Sequence, residues 1–400
     1  MLLNPFRTLR RAVVPIGLGA AALIGLGPQA GAAEVKVGVI ASFSGPYAIW
    51  GKQFQEAIDL FLAQQKGKAG NHDVKVIYRD VGGPNAQRAR QLAQELVVRD
   101  GVVVLAGLEF TPTALAVADL ITEAKIPFVV FNAGTSSVVQ KSPMFVRTGF
   151  TQWSVSIPVT KWAAQQGFKN CAIVAADYGP GHDAIDAFKK GFTDSGGKIA
   201  TEIRVPLGTT DFSSYLQRVR DASPQCTFMF MPVGPMSAGL IKSYSERGLT
   251  KAGIQLLTGA ETQEFDLPAI GDGALGVISA LHYGPYLDNP VNKAFVQAYK
   301  AKYGKDALPS LISIAAYDGM KVVFEMIKAT DGKRDGVKAV EAVKGLKWES
   351  PRGPVSIDPK TRDIVHNIYV RRVEKADGVL FNKAFYTYPA VKDPWLEANP

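Results

Sequence analysis

The sequence predicts an α/β protein made of two doubly wound lobes with parallel central sheets and a ligand cleft between them. Three observations predict this class. From residue 35 onward, short apolar runs alternate with stretches of helical periodicity, which is the pattern of βαβ units on a parallel sheet. The series ends near residue 149 and restarts at residue 171, so one plan is used twice. Each strand also opens at its carboxyl end into small, hydroxyl-bearing or aromatic residues, where ligands of open α/β sheets sit.

Taken in order, the first lobe reads VKVGVIAS (35–42), a helix over 51–65, VKVIYRD (74–80), a helix over 85–99, VVVLAG (102–107), a helix over 111–124 and PFVVFNA (127–133). After FVRTG (145–149) come CAIVAAD (171–177), a helix over 181–195, KIATEIRV (198–205), a helix over 211–222, TFMFMP (227–232), a helix over 235–247, IQLLTG (254–259) and GVISALHY (276–283). Beyond residue 283 the periodicity predicts helices over 289–303 and 311–330, a short one ending near 346, and a closing hairpin with strands over 354–357 and 364–374.

The chain is 400 residues long, 47% hydrophobic and 20% charged, as expected of a globular protein with sizeable cores. Its first 33 residues are read apart from that core. Arg7, Arg10 and Arg11 precede a nearly unbroken apolar run and then small residues, the plan of a secretory signal peptide with cleavage after Ala32 or Ala33. The run is too short to span a membrane. Arg10-Arg11 invites a twin-arginine reading, but its flanks match poorly. No cysteine stands at the cleavage site, so a periplasmic protein without a lipid anchor is expected. Losing three arginines and no acid lowers the net charge from +9 to +6. That charge lacks the basic runs and interleaved aromatics of a nucleic-acid face.

Catalytic patterns are missing from the sequence. His72, His182, His282 and His366 are far apart, with no pair at metal-ligand spacing, and neither a nucleophile elbow nor a P-loop occurs. The glycine run GLGAAALIGLG lies inside the leader. His182-Asp183 suggests either a proton relay or, more simply, dipole compensation at a helix start. Cys171 and Cys226 open the first and third strands of the second lobe. Those strands are often neighbours, so a disulfide is feasible, and two small buried hydrophobes are the plainer alternative. No cofactor or metal is called for.

Binding features gather instead at the strand ends: SFSGPYAIWG, GLEFTPT, FNAGTSS, ADYGPG and GAETQEF. Some lie at helix N-termini, which favour anions. With RDVGGPNAQRARQLAQELV, DFSSYLQRVR, AAYDG (315–319) and ESPRGPVSIDPKTRD (349–363), their order and spacing resemble the extracytoplasmic solute-binding proteins of ABC importers, in the leucine/isoleucine/valine-binding family. The resemblance covers nearly the whole mature chain.

It implies three interlobe crossovers, near Gly149, Gly284 and Pro351. A first lobe would then comprise 34–150 with 285–350 returning to it, and a second 151–284 with 351–400. It implies that Thr111 holds a ligand carboxylate, with Ala133 and Thr135 as backbone and hydroxyl partners. Trp50 and Tyr178 would face the ligand side chain from opposite lobes, and Glu261 would receive an α-ammonium group. Thr111 could equally be a helix cap, Trp50 and Tyr178 lobe-core aromatics, and Glu261 a solvated carboxylate. Val233 follows Pro232 where amino-acid binders often place an aromatic, and Phe110 sets a large ring beside the carboxylate site. The implied function is a monomeric periplasmic receptor that closes on a small carboxylate and delivers it to an inner-membrane permease. A hydrophobic, branched-chain or aromatic amino acid is the leading ligand, and an aromatic carboxylic acid of benzoate or phenylpropanoid type the alternative. A sensor for a membrane signalling protein or an exported hydrolase are further readings, the last opposed by the missing nucleophile–base pair.

Overall fold

The computed structural model describes residues 34–399; the expected leader and its cleavage site fall outside them. The first half of the chain runs β1 (Glu34–Ala41), α1 (Ala48–Gln64), β2 (Lys68–Ala69), β3 (His72–Asp80), α2 (Ala86–Val98), β4 (Val104–Gly107), α3 (Thr111–Glu123), β5 (Phe128–Val130) and β6 (Phe145–Arg147). These strands form one sheet in the order β2-β3-β1-β4-β5-β6, parallel except where β2 meets β3. The central strands β4 and β5 are buried throughout, because helices cover both faces.

The second series runs α4 (Gln152–Gln165), β7 (Asn170–Ala176), α5 (Gly179–Asp194), β8 (Lys198–Val205), α6 (Ser213–Asp221), β9 (Cys226–Phe230), α7 (Pro235–Glu246), β10 (Gln255–Thr258), α8 (Leu267–Ile270) and β11 (Ile278–Leu281). Helices α9 (Pro290–Tyr303), α10 (Leu311–Thr330) and α11 (Gly336–Val343) follow, and α10 packs along α1 of the first half. The chain closes with β12 (Lys347–Ser350), β13 (Gly353–Ile357), β14 (Ile364–Ala376), β15 (Val379–Val391) and α12 (Pro394–Ala398). The second sheet is ordered β12-β13-β14-β11-β10-β9-β7-β8, with β15 paired to β14. Its core from β8 to β11 is parallel, but β14 joins β11 antiparallel, so this sheet is mixed where the sequence suggested a purely parallel one.

Cys171 and Cys226 stand opposite each other in the β7–β9 register and are joined as a disulfide, with Cα atoms 4.5 Å apart, within the span a bridge allows. The reading of two separate buried thiols is thereby corrected.

The three passages between the halves meet at one buried side chain. Arg352, fully shielded, pairs with Asp318 of α10 at 2.7 Å. It also donates to the Thr148 carbonyl at 2.8 Å and lies 3.2 Å from Nδ1 of His282, so residues from all three passages contact one guanidinium. Nearby, Arg147 pairs with Asp363 and donates to the carbonyls of Ala133 at 2.9 Å and Thr135 at 2.7 Å. Both arginines are deeply buried ions, tolerable only because each has a carboxylate partner and several carbonyl acceptors.

Candidate functional site

Helix starts separate into two kinds. On α2, α9, α11 and α12, the side chains of Asn85, Asn289, Asp335 and Asp393 accept the first free N–H groups. On α1, α3, α5, α6, α7 and α8 no side chain caps the start; for α3 and α5 the cap positions are held by Phe110 and Tyr178, and a proline follows in the first turn. Helices α3 and α5 start at the carboxyl ends of β4 and β7, one from each half. Their unpaired N–H groups carry the positive end of the helix dipole to one place, which suits an anion.

Between these ends lies a narrow cavity of about 30 Å³. Rings of Trp50, Phe110, Phe150, Tyr178 and Phe230 form much of its wall, with Glu109, Asn132 and Gln152 as its polar members. Tyr178 stacks on Phe230 with centroids 6.0 Å apart, and Phe110 meets Tyr47 edge-on at 4.8 Å. These contacts set the rings as flat panels, suited to a planar apolar ligand body. Gly179 permits the close approach of the halves: a Cβ there would lie 3.0 Å from Thr135 Oγ1. Beside it, Asp183 of α5 accepts the Ser136 N–H at 2.8 Å, and Ser136 Oγ donates to Asp393. Asp183 thus caps a short helix belonging to the other half, rather than compensating its own helix or relaying protons; His182 turns away to Asp177 at 2.7 Å. Burial pushes the Asp183 carboxyl up to about 6, against the opposing pull of the Ser136 N–H.

Of the eight residues singled out in the sequence, Trp50, Phe110, Tyr178 and Val233 line this cavity. The other four are absent from its lining. Thr111 is the first helical residue rather than the cap, and its hydroxyl donates to Thr135 Oγ1 at 3.0 Å. Ala133, at φ 47°, donates its N–H to the Glu109 carbonyl at 3.1 Å and accepts Arg147. Glu261, fully buried, accepts from Gly259 N at 2.8 Å, Met231 N at 3.3 Å and the Thr258 hydroxyl. Burial pushes its carboxyl up to about 7, although those donors favour the ionised form. Glu109, Asn132, Phe150, Gln152 and Phe230 were missed as lining residues. The first two sit inside the quoted GLEFTPT and FNAGTSS loops, so a legible signal existed; Phe150 and Gln152 flank a crossover, and Phe230 ends an apolar strand that carries no polar mark.

Two similar lobes whose strand ends and uncapped helices face one aromatic-walled cavity define a ligand receptor. The comparisons agree. The periplasmic binding protein family model matches residues 34–378. A Brucella melitensis protein named Leu/Ile/Val-binding protein homolog 6 is 49% identical over 96% of this chain and 99% of its own length. A Rhodopseudomonas palustris ABC-transporter solute-binding protein, solved with 4-hydroxybenzoate, is 47% identical with a TM-score of 0.88, covering 91% of this chain and 99% of that one. Another from R. palustris BisB5, solved with 3,4-dihydroxybenzoic acid, is 44% identical with a TM-score of 0.86 over the same shares. The chain belongs to the periplasmic binding protein family, and it is a solute-binding protein of an ABC transporter. No helix among the described residues is long and apolar enough to cross a membrane.

Proposed function

We propose that this protein captures an aromatic carboxylic acid of the benzoate type by closing its lobes, and delivers it to an inner-membrane permease. It would act as an exported monomer freed of residues 1–33. The observation that carries the choice of ligand is the engagement of Glu261 with its own neighbours. An amino acid brings an ammonium group, and an unpaired charge in a closed cleft is very costly. The group matched to that ammonium is already bonded inward: Glu261 accepts from Met231, Gly259 and Thr258. What remains at the cavity is ring surface and uncapped helix ends, matching a flat apolar body with a carboxylate. Two relatives at 44% and 47% identity were solved with hydroxylated benzoates.

In this reading the lobes are 34–150 with 285–350, and 151–284 with 351–400, save that β12 at the end of the returning segment pairs into the second sheet, and they rotate about the three passages. Thr111 and Thr135 then support the carboxylate end from behind the α3 start, and Trp50, Phe110, Tyr178 and Val233 enclose the ring.

A competing amino-acid reading is favoured by the Leu/Ile/Val-binding name of the Brucella relative. Calorimetry with 4-hydroxybenzoate, benzoate, leucine and phenylalanine decides between them. The expected outcome is binding of the aromatic acids, with Glu261→Gln changing their Kd by no more than about twofold. Tight binding of an amino acid, weakened by the substitution through the loss of about 2–5 kcal/mol typical of a broken buried charge pair, overturns the proposal.

A further inference from the structure

Three buried polar atoms bordering the cavity have no hydrogen-bond partner: Glu109 Oε2, Asn132 Oδ1 and Trp50 Nε1. Buried polar groups in a folded protein are nearly always paired, so each orphan points to something that completes it. Glu109 is 2% exposed. Its other oxygen, Oε1, accepts the Ser42 N–H from the end of β1, which fixes the carboxyl group at the cavity wall. The Asn132 amide is oriented in the same way: its Nδ2 donates to the Glu109 carbonyl at 2.9 Å, leaving Oδ1 free. Two of the three orphans, Asn132 Oδ1 and Glu109 Oε2 in its ionised form, are therefore acceptors, each fixed by a bond within the first lobe. The third, on Trp50, is a donor.

A bare benzoate complements only the donor, because a carboxylate carries acceptors alone. A ring hydroxyl supplies the hydrogen that the acceptors lack. We infer that Glu109, supported by Asn132, is the specificity-determining residue for a ring hydroxyl, so that the ligand class is hydroxylated aromatic acids rather than benzoates at large. This rests on the aromatic-acid reading above and narrows it. Burial pushes the Glu109 carboxyl up to about 7 in the free protein, against the Ser42 contacts, which agrees with an acid lacking a complete set of partners. Selection of this kind is steep because the unsubstituted analogue leaves a buried acceptor bare, whereas an added methylene in an apolar pocket discriminates weakly.

The test compares benzoate with 4-hydroxybenzoate and 3,4-dihydroxybenzoate by calorimetry, in the wild type and in Glu109→Leu. In the wild type, at least one hydroxylated acid is expected to bind tenfold or more tighter than benzoate. In Glu109→Leu that ratio should collapse towards one, with benzoate itself binding as well as before or better. Equal wild-type affinities overturn this inference while leaving the aromatic-acid reading intact, and need no variant. A preference that survives intact in folded Glu109→Leu overturns it as well. If no aromatic acid binds and phenylalanine or tyrosine does, both readings fall, and Glu109 is the partner of an ammonium instead.

Discussion

Arg352 and Asp318 are 0% and 2% exposed in their side chains, so the pair has left water almost completely. The desolvation of two such ions is large, and the pair holds only because its remaining donors and acceptors are satisfied. Trp348 Nε1 and Ser350 Oγ both donate to Asp318, at 2.9 and 2.8 Å, and the Tyr369 hydroxyl donates to the Arg352 carbonyl at 2.8 Å. Replacing Arg352 by Met leaves a buried carboxylate without its cation, and is expected to cost about 3–5 kcal/mol in urea unfolding. Replacing both, Arg352→Met with Asp318→Leu, should recover much of that loss. A double variant as unstable as the single one would show that the hydrogen bonds, rather than the charges, hold the passages together. The stacked rings of His282 and His366 sit against this guanidinium, 4.9 Å apart. Burial first, and then the Arg352 charge, keep both imidazoles well below their ordinary titration range, so they stay neutral and add no further charge.

At the scale of elements, the disulfide ties β7 to β9 across 55 residues that contain α5, β8 and α6. Closing a loop of this length removes much denatured-state freedom, so reduction is expected to lower stability by roughly 2–4 kcal/mol without loss of ligand binding. An unchanged melting temperature in excess dithiothreitol would contradict this. The parallel strands and most helices were legible because apolar runs and 3.6-residue periods persist where one face is buried and the other wet. Helix α4 was overlooked for the opposite reason. It is buried on nearly every side against β10, β11 and β14 and carries Pro158 in its middle, so no polar stripe marks it. Strand β15 was overlooked although a signal was present. Asp377-Gly378, at φ 49° and 79°, is a two-residue hairpin turn, and the strand it launches is largely exposed and so carries little apolar pattern. The site was legible in part. Loops at strand ends marked the cavity, but whether a side chain such as Glu261 turns towards ligand or backbone depends on which neighbouring N–H groups are free, and no local pattern encodes that.

For the whole molecule, the two halves touch across the cleft through a small set of bonds, of which Asp183 to Ser136 N–H is the clearest. Under the proposed closure this bond exists only when the lobes meet, so it adds to ligand affinity and not to the folding of either lobe. Asp183→Ala is therefore expected to weaken aromatic-acid binding about tenfold, through loss of a charge-assisted hydrogen bond of about 1.5 kcal/mol, and to speed release. The melting temperature of the unliganded protein should change little. If that temperature drops sharply while affinity holds, the bond belongs to the resting architecture instead.

The gathering of all three passages on Arg352 limits how the lobes can move. A single covalent tether would let one lobe swivel, slide and twist against the other, and a ligand would have to halt each motion separately. Under the proposed closure, three tethers clamped to a common buried cation would leave little besides opening and shutting, and the molecule would behave as a device with one dial. Any aromatic acid that fits would turn that dial by the same path, whatever its substituents. A permease that recognises the shut form can then accept every ligand the cleft accepts, without touching the ligand at all. Selectivity would lie wholly in the cavity wall, and the outer face of the receptor could stay the same while that wall changed.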